Sequence, residues 1–179
     1  MTWILTASGK HFDLADPQPD MVDIRDIAQA LSNEARFNGH TRSFYSVAQH
    51  SVSVSLIVPP ADALEGLLHD ATEAYMKDIP LPLKRMLPDY KHIEQRVDAV
   101  IRDRFGLPAQ CSDSIKCADL IMLATERRDL MPPDPTQWDV LHGIEPDPMR
   151  IAAAPSSDAK WLFWMRWKEL TGERIHAMA

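Results

Sequence analysis

The sequence predicts an all-α fold, and three observations predict it. From about residue 20 onward, apolar residues recur at three- and four-residue spacing rather than alternating. The stretches that carry this spacing are each several helical turns long and end at prolines, glycines or short polar runs. Only Trp3 to Leu14 alternates, weakly, around Ala7-Ser8-Gly9-Lys10, which suits a small β-hairpin. At 179 residues the chain is long enough to bury one core. Residues 1–179 are therefore expected to form a single all-α domain with at most a short N-terminal β-hairpin.

The elements follow in order. Pro17 and Pro19 close the hairpin region, and Ile24, Ile27, Ala28 and Leu31 mark an amphipathic helix over about residues 22–35. A loop follows, Phe37-Asn38-Gly39-His40-Thr41. From Tyr45 to Val58 apolar residues cover nearly all sides, with small serines between, so this helix is expected to be buried. Pro59-Pro60 ends it. A third helix is expected from about Asp62 to Lys77. Pro80, Pro82 and Pro88 confine the next stretch to turns and a short helix. Asp89 can cap a helix bearing Ile93, Val97, Val100, Ile101 and Phe105, stopped by Gly106 and Pro108. Ser112 or Asp113 opens another, to about Leu130. Residues 131–155 contain six prolines and read as a long irregular excursion. Ser156 or Ser157 caps a last helix carrying Trp161, Trp164 and Trp167, closed by Gly172.

Composition narrows the function classes. The formal net charge is −7, which argues against a nucleic-acid polymer as partner. No window has eighteen consecutive apolar residues, so no membrane span is expected. The start, Met1 to Thr6, has no basic segment followed by an apolar run, and Cys111 and Cys117 make no disulfide framework. A cytoplasmic protein is expected.

Chemistry concentrates in His69-Asp70-Ala71-Thr72-Glu73. At 100° per residue, His69, Asp70 and Glu73 share one side of the third helix, opposite Leu64, Leu67, Leu68, Ala71 and Tyr75. That side can simply face solvent. Gly66, one turn earlier on the same side, speaks against it. An exposed helix gains nothing from glycine and loses roughly 1 kcal/mol against alanine, whereas close approach of another backbone needs it. His50 lies on the buried second helix, as a core histidine or as a ligand. Asp119 shares the apolar stripe of Ile115, Met122 and Glu126, where a carboxylate must be paired or coordinated. Lys116, one turn back, is one possible partner. Two imidazoles and two carboxylates from three helices can converge in a helical core and hold one divalent transition metal: Co, Mn, Zn, Fe or Ni rather than Ca. No cysteine spacing suits a structural zinc site, and Met76, three residues after Glu73, excludes a Glu-x-x-His di-iron pattern there.

The ordered set His50, His69-Asp70, Asp119 resembles the HD superfamily of all-helical, metal-dependent phosphohydrolases. The run His69-Asp70-Ala71-Thr72-Glu73-Ala74-Tyr75-Met76-Lys77-Asp78-Ile79-Pro80-Leu81-Pro82-Leu83-Lys84 is similar to the bacterial 5′-deoxynucleotidases and to small phage HD enzymes that remove triphosphate from dATP. Similarity of helix order spans residues 20–130. The resemblance implies that His50, His69, Asp70 and Asp119 bind the metal and that Glu73 moves a proton or positions water. It implies that Asp78 contacts the sugar 3′-hydroxyl, and that Arg36 and Phe37 contact phosphate and pack on the deoxyribose. The family members resembled here carry tryptophan where this chain has Phe37. Lys84 and Lys116 are candidate phosphate contacts. Each has a plainer reading: Arg36 as a cation at a helix C-terminus, Phe37 as core, Lys84 as a solvated side chain. The implied substrate is a deoxynucleotide, first a triphosphate of the dATP type cleaved to deoxynucleoside and triphosphate, with a deoxynucleoside monophosphate losing its phosphate as the alternative. A triphosphate tail would need further bases, for which Arg42 and Arg85 are available with Lys84 and Lys116. A non-catalytic nucleotide-binding protein is the alternative of a different class. The family and the three spaced tryptophans both favour a homo-oligomer, a dimer or larger.

Overall fold

The computed structural model describes residues 1–173. The expected hairpin forms from β1 (Trp3–Leu5) and β2 (His11–Asp13), antiparallel with Ile4 opposite Phe12. Its turn is fastened to the first helix: the Ser8 backbone N and Oγ donate to the Asp26 carboxylate at 2.6 and 2.7 Å. Phe12 is fully buried and stacks on Tyr75 with ring centres 3.9 Å apart.

Helices account for the rest. α1 (Ile24–Asn33) begins at Asp23, whose side chain accepts from the Arg25 N–H. α2 (Val47–Ile57) begins at Ser46, whose hydroxyl accepts from Gln49 N–H. It is buried on almost every side, as its sequence predicts. The expected third helix is present as two pieces, α3 (Ala63–Leu68) and α4 (Glu73–Met76), and a short α5 (Leu81–Lys84) follows. α6 (Pro88–Phe105) ends at Gly106 in the left-handed region, φ 64°. α7 (Asp113–Leu130) and α8 (Ser156–Thr171) complete the set of long helices. Asp89 lies in the first turn of α6 rather than capping it, and Ser156 bonds Asn33 rather than its own helix. α8 packs on α1 and α2 through Ala159, Phe163 and Trp167. Trp161 points outward, 60% exposed, so the tryptophans do not act as one stripe.

The break in the third helix is the main departure from expectation. Residues 69–72 form a turn between α3 and α4. α3 lies against both α2 and α8, so the polar side read from the sequence is not a solvent face. Gly66 is where α3 meets α2: a Cβ there would stand 3.1 Å from Ser55 Cα and from Val58 Cγ2. Glu65, 3% exposed, pairs with Arg102 of α6 at 2.9 Å and accepts from Ser112 N and Oγ, tying α3 to the start of α7. Residues 131–155 are irregular apart from one 3₁₀ turn at Asp139–Leu141.

Candidate metal centre

Each candidate ligand is delivered by a different constraint. His50 stands mid-way along α2 with no exposure, its ring fixed by packing. His69 and Asp70 occupy the turn between α3 and α4. The segment keeps helical dihedrals at His69 and Thr72 but makes i→i+3 hydrogen bonds, Ala71 to Leu68 and Glu73 to Asp70, in place of the α-helical ladder. Asp119 projects from the middle of α7, its side chain 44% exposed.

His50, His69 and Asp119 each offer one ligand atom, and the three atoms lie within 4.8 Å of one another. His50 Nε2 is 3.3 Å from His69 Nε2 and 3.2 Å from Asp119 Oδ1. Asp70 Oδ2 joins them at 3.5 Å from His50 Nε2 and 3.2 Å from His69 Nε2. Donors bound at about 2.0–2.2 Å to one ion stand roughly 3.0–3.5 Å apart, by tetrahedral or octahedral geometry. The four separations measured from the two imidazoles fall in or at the edge of that range, and His50, His69 and Asp119 form a group that could hold one ion, with Asp70 beside the two histidines.

The tautomers agree. His50 Nδ1 donates to Glu126 Oε1 at 2.6 Å, and His69 Nδ1 donates to the Gly66 carbonyl at 2.8 Å. Neither acceptor carries a proton to give, so both rings hold hydrogen on Nδ1 and turn the Nε2 lone pair inward. Two Nε2 atoms 3.3 Å apart, beside two carboxylates, favour a positive charge between them, either a proton or a metal cation. Burial and the Arg36 charge oppose protonating His50, yet Glu126 and Asp119 outweigh them and push its pKa up to about 10. A proton then stands where a cation fits. The wider surroundings are acidic too: Glu126, Asp70, Asp78 and Glu73 crowd around Arg36.

Arg36 is woven into this centre. Its guanidinium donates to Glu126 Oε2 at 3.0 Å and lies 3.7 Å from Asp70 Oδ2 and 3.9 Å from Asp78 Oδ2. Glu73 is 7% exposed, with Oε2 lacking a partner among the described residues and Oε1 3.9 Å from Lys84 Nζ. Burial first, then the charges of Asp70 and Asp78, raise its pKa well above the carboxylate range. Asp78 is raised likewise by burial and Asp70, against the pull of Arg36. Lys77 between them has φ 80° and ψ 150°, a conformation that side chains seldom adopt; the strained residue is what ends α4 and brings Asp78 round to Arg36.

The uncharacterized protein YfdR of Escherichia coli (strain K12) is 51% identical to this chain over 172 residues, spanning 96% of the chain and 97% of that protein. This chain belongs to the YfdR family. A second member, an uncharacterized protein of Rhodobacter capsulatus, is 34% identical over 163 residues, 83% of each chain. No family model matches the chain.

Not every residue expected from the sequence meets at the candidate centre of this YfdR-family chain. Lys116 does not: it is exposed, pairs with Asp113 at 2.8 Å, and neither neutralises Asp119 nor turns toward the histidines. Asp119 finds His50 instead. Arg85 is exposed, and Arg42 lies at the far end of α7, where its N–H bonds the Leu130 carbonyl. Lys84 is half-buried between Glu94 and Glu73. Phe37, at φ 54°, sits under the Arg36 guanidinium, 5.5 Å from ring centre to charge. Glu126 is the residue that sequence reasoning left without a role. Its signal was present, an acid seven residues after Asp119 on the same apolar stripe.

Proposed function

We propose that this chain is a metal-dependent phosphohydrolase acting on deoxynucleotides. The observation that carries the reading is the convergence of His50, His69 and Asp119, with Asp70 beside both histidines, a buried Glu73 oxygen that has no partner among the described residues, and the Arg36 and Lys84 charges close by. Mixed imidazole and carboxylate donors suit a divalent transition metal, Co, Mn, Zn, Fe or Ni. Such an ion, when bound, polarises a phosphate oxygen and lowers the pKa of water. The side chains do the remainder. Arg36 offers fixed positive charge to phosphoryl oxygens. Glu73, whose pKa burial and then Asp70 and Asp78 push upward, is the group placed to give a proton to the leaving oxygen or to take one from water. Asp78, beside Arg36, receives a sugar hydroxyl, and Phe37 packs on the sugar.

Between the two substrates, the geometry favours a deoxynucleoside monophosphate. Of the bases available for a triphosphate tail, Lys84 stands beside Glu73, while Lys116 is engaged by Asp113 and Arg42 and Arg85 lie elsewhere. A triphosphate of the dATP type is the second reading, favoured by the similarity of residues 69–84 to the phage enzymes. Incubation with dAMP and with dATP separates them: inorganic phosphate from the first, or deoxyadenosine and triphosphate from the second. Metal binding without turnover of any deoxynucleotide would leave a non-catalytic nucleotide-binding protein. The reading includes a homo-oligomer, for which Trp161 offers exposed apolar area; a monomeric mass in solution would remove that part.

A further inference from the structure

A cleft of about 690 Å³ lies beyond α7, between its C-terminal half and the irregular excursion. Its lining includes Ala124 and Arg128, which stand about 140° and 180° around the helix from Asp119, so the cleft and the metal centre occupy different sides of α7. They are nevertheless joined. Asp119, Leu123 and Arg127 follow one another at successive turns, all half-buried, and form a solvent-reachable row from a metal ligand to the cleft edge. Eight residues of helix make that row about 12 Å long. Above it runs a second series. The Arg36 guanidinium lies over Phe37, Phe37 is 6.4 Å from Trp138 ring to ring, and Arg127 lies 5.0 Å from the Trp138 ring centre.

The cleft's chemistry selects among occupants. Arg128 is spent on Asp129 and on the Asp147 and Met149 carbonyls. Arg127 donates to the Asp134 and Thr136 carbonyls and covers Trp138. Arg42 makes one long bond, 3.4 Å, to the Asp129 carbonyl. The remaining lining is largely apolar: Trp138, Leu141, Ile144, Met131 and four prolines. An anionic tail finds few free donors here, whereas a planar heterocycle finds aromatic and proline faces with guanidinium groups at its edge. The volume lies within the range of roughly 300–1,000 Å³ that takes small ligands.

We infer that this cleft is the ring-binding half of the substrate site, receiving the planar base of a phosphate ester whose phosphate lies at the metal centre, with Trp138 as a specificity-determining residue. The inference rests on the phosphohydrolase reading for the position of the phosphate. The test is titration of the manganese-loaded full chain, carrying Glu73→Ala to suppress turnover, with each of the four common 2′-deoxynucleoside 5′-monophosphates and with base-free 2-deoxyribose 5-phosphate. At least one nucleotide should bind ten-fold or more tightly than the sugar phosphate. Trp138→Ala should erase that preference, and so should Ile144→Trp, which fills the cleft and guards against a folding failure of the first variant. No preference in the parent chain, a preference that survives both variants, or equal weakening of both ligand types would overturn the inference. Hydrolysis by the otherwise unaltered chain is followed in parallel. Base-dependent binding without hydrolysis would sink the catalytic reading and leave the cleft standing; hydrolysis without base preference would do the reverse.

Discussion

Glu126 Oε1 accepts from His50 Nδ1 across 2.6 Å, and neither side chain has any exposure. The other Glu126 oxygen holds Arg36. One carboxylate therefore fixes both a metal-facing imidazole and the cation beside it. Partners of this kind typically contribute 10- to 100-fold in metal affinity. Glu126→Gln should weaken metal binding by about that factor, read by competition with a chelating dye. Glu126→Ala, which strands Arg36, should also destabilise the fold by about 3 kcal/mol in urea unfolding. Unchanged metal affinity in both variants would remove Glu126 from the centre.

Asp70 and Glu73 should separate cleanly. Asp70→Ala is expected to lose both bound metal and turnover. Glu73→Ala is expected to keep its metal, by elemental analysis, and lose turnover, because its carboxylate lies beside the ligand set rather than within it. Full activity in Glu73→Ala would refute its role in proton transfer.

Gly66→Ala reverses the usual sign. Within a solvated helix this change gains up to about 1 kcal/mol. Here the new methyl would meet Ser55 Cα and Val58 Cγ2 at 3.1 Å and Ser55 N at 3.3 Å. Two of those three atoms are backbone, so α3 must shift. The cost should be about 1–3 kcal/mol in denaturant unfolding. Because the Gly66 carbonyl orients His69, metal affinity should fall with it. A stabilised variant would show that α3 and α2 are not in this contact.

Metal should raise the melting temperature, and EDTA should lower it again. At a free concentration of one hundred times Kd, the gain is about 2.7 kcal/mol. The shift should vanish in His69→Ala.

Asp129 gives a pH signature. Its carboxylate, 5% exposed, accepts from Arg128, Arg150 and the Ile151 N–H, and these contacts hold its pKa below the usual range. A folded value below the unfolded one means the stabilisation is present above pH about 4 and fades as pH falls toward the folded value. Asp129→Asn should thus cost about 1.5–3 kcal/mol at pH 7, with the gap to the parent chain narrowing below pH about 4. A gap independent of pH would assign the effect to packing.

The helical architecture was legible because its signals are local. The turn at Gly9, the stop at Gly106 and the apolar surround of α2 are each written within a few residues. His50 and Asp119 were legible for a related reason: a polar group on an apolar stripe announces that something must compensate it. The break after Leu68 was not. Residues 69–72 have nothing that forbids a helix, and no local signal marks the turn they form. The strain at Lys77 is hidden in the same way, since lysine favours the helix it ends. Lys116 misled because spacing along α7 offered it two acids, Asp113 and Asp119, and His50 took the second.

The ligands come from three parts of the chain that are distant in sequence: residue 50, residues 69–70 and residue 119. During synthesis, which proceeds from the N-terminus, the first three donors emerge well before the fourth. Until α7 arrives, no Glu126 fixes the His50 ring and no Asp119 closes the set. If the centre takes a metal, a nascent chain would not hold it tightly, and capture would report that the late helix has docked. An ion bound there would be a timekeeper of assembly, registering completion rather than starting it.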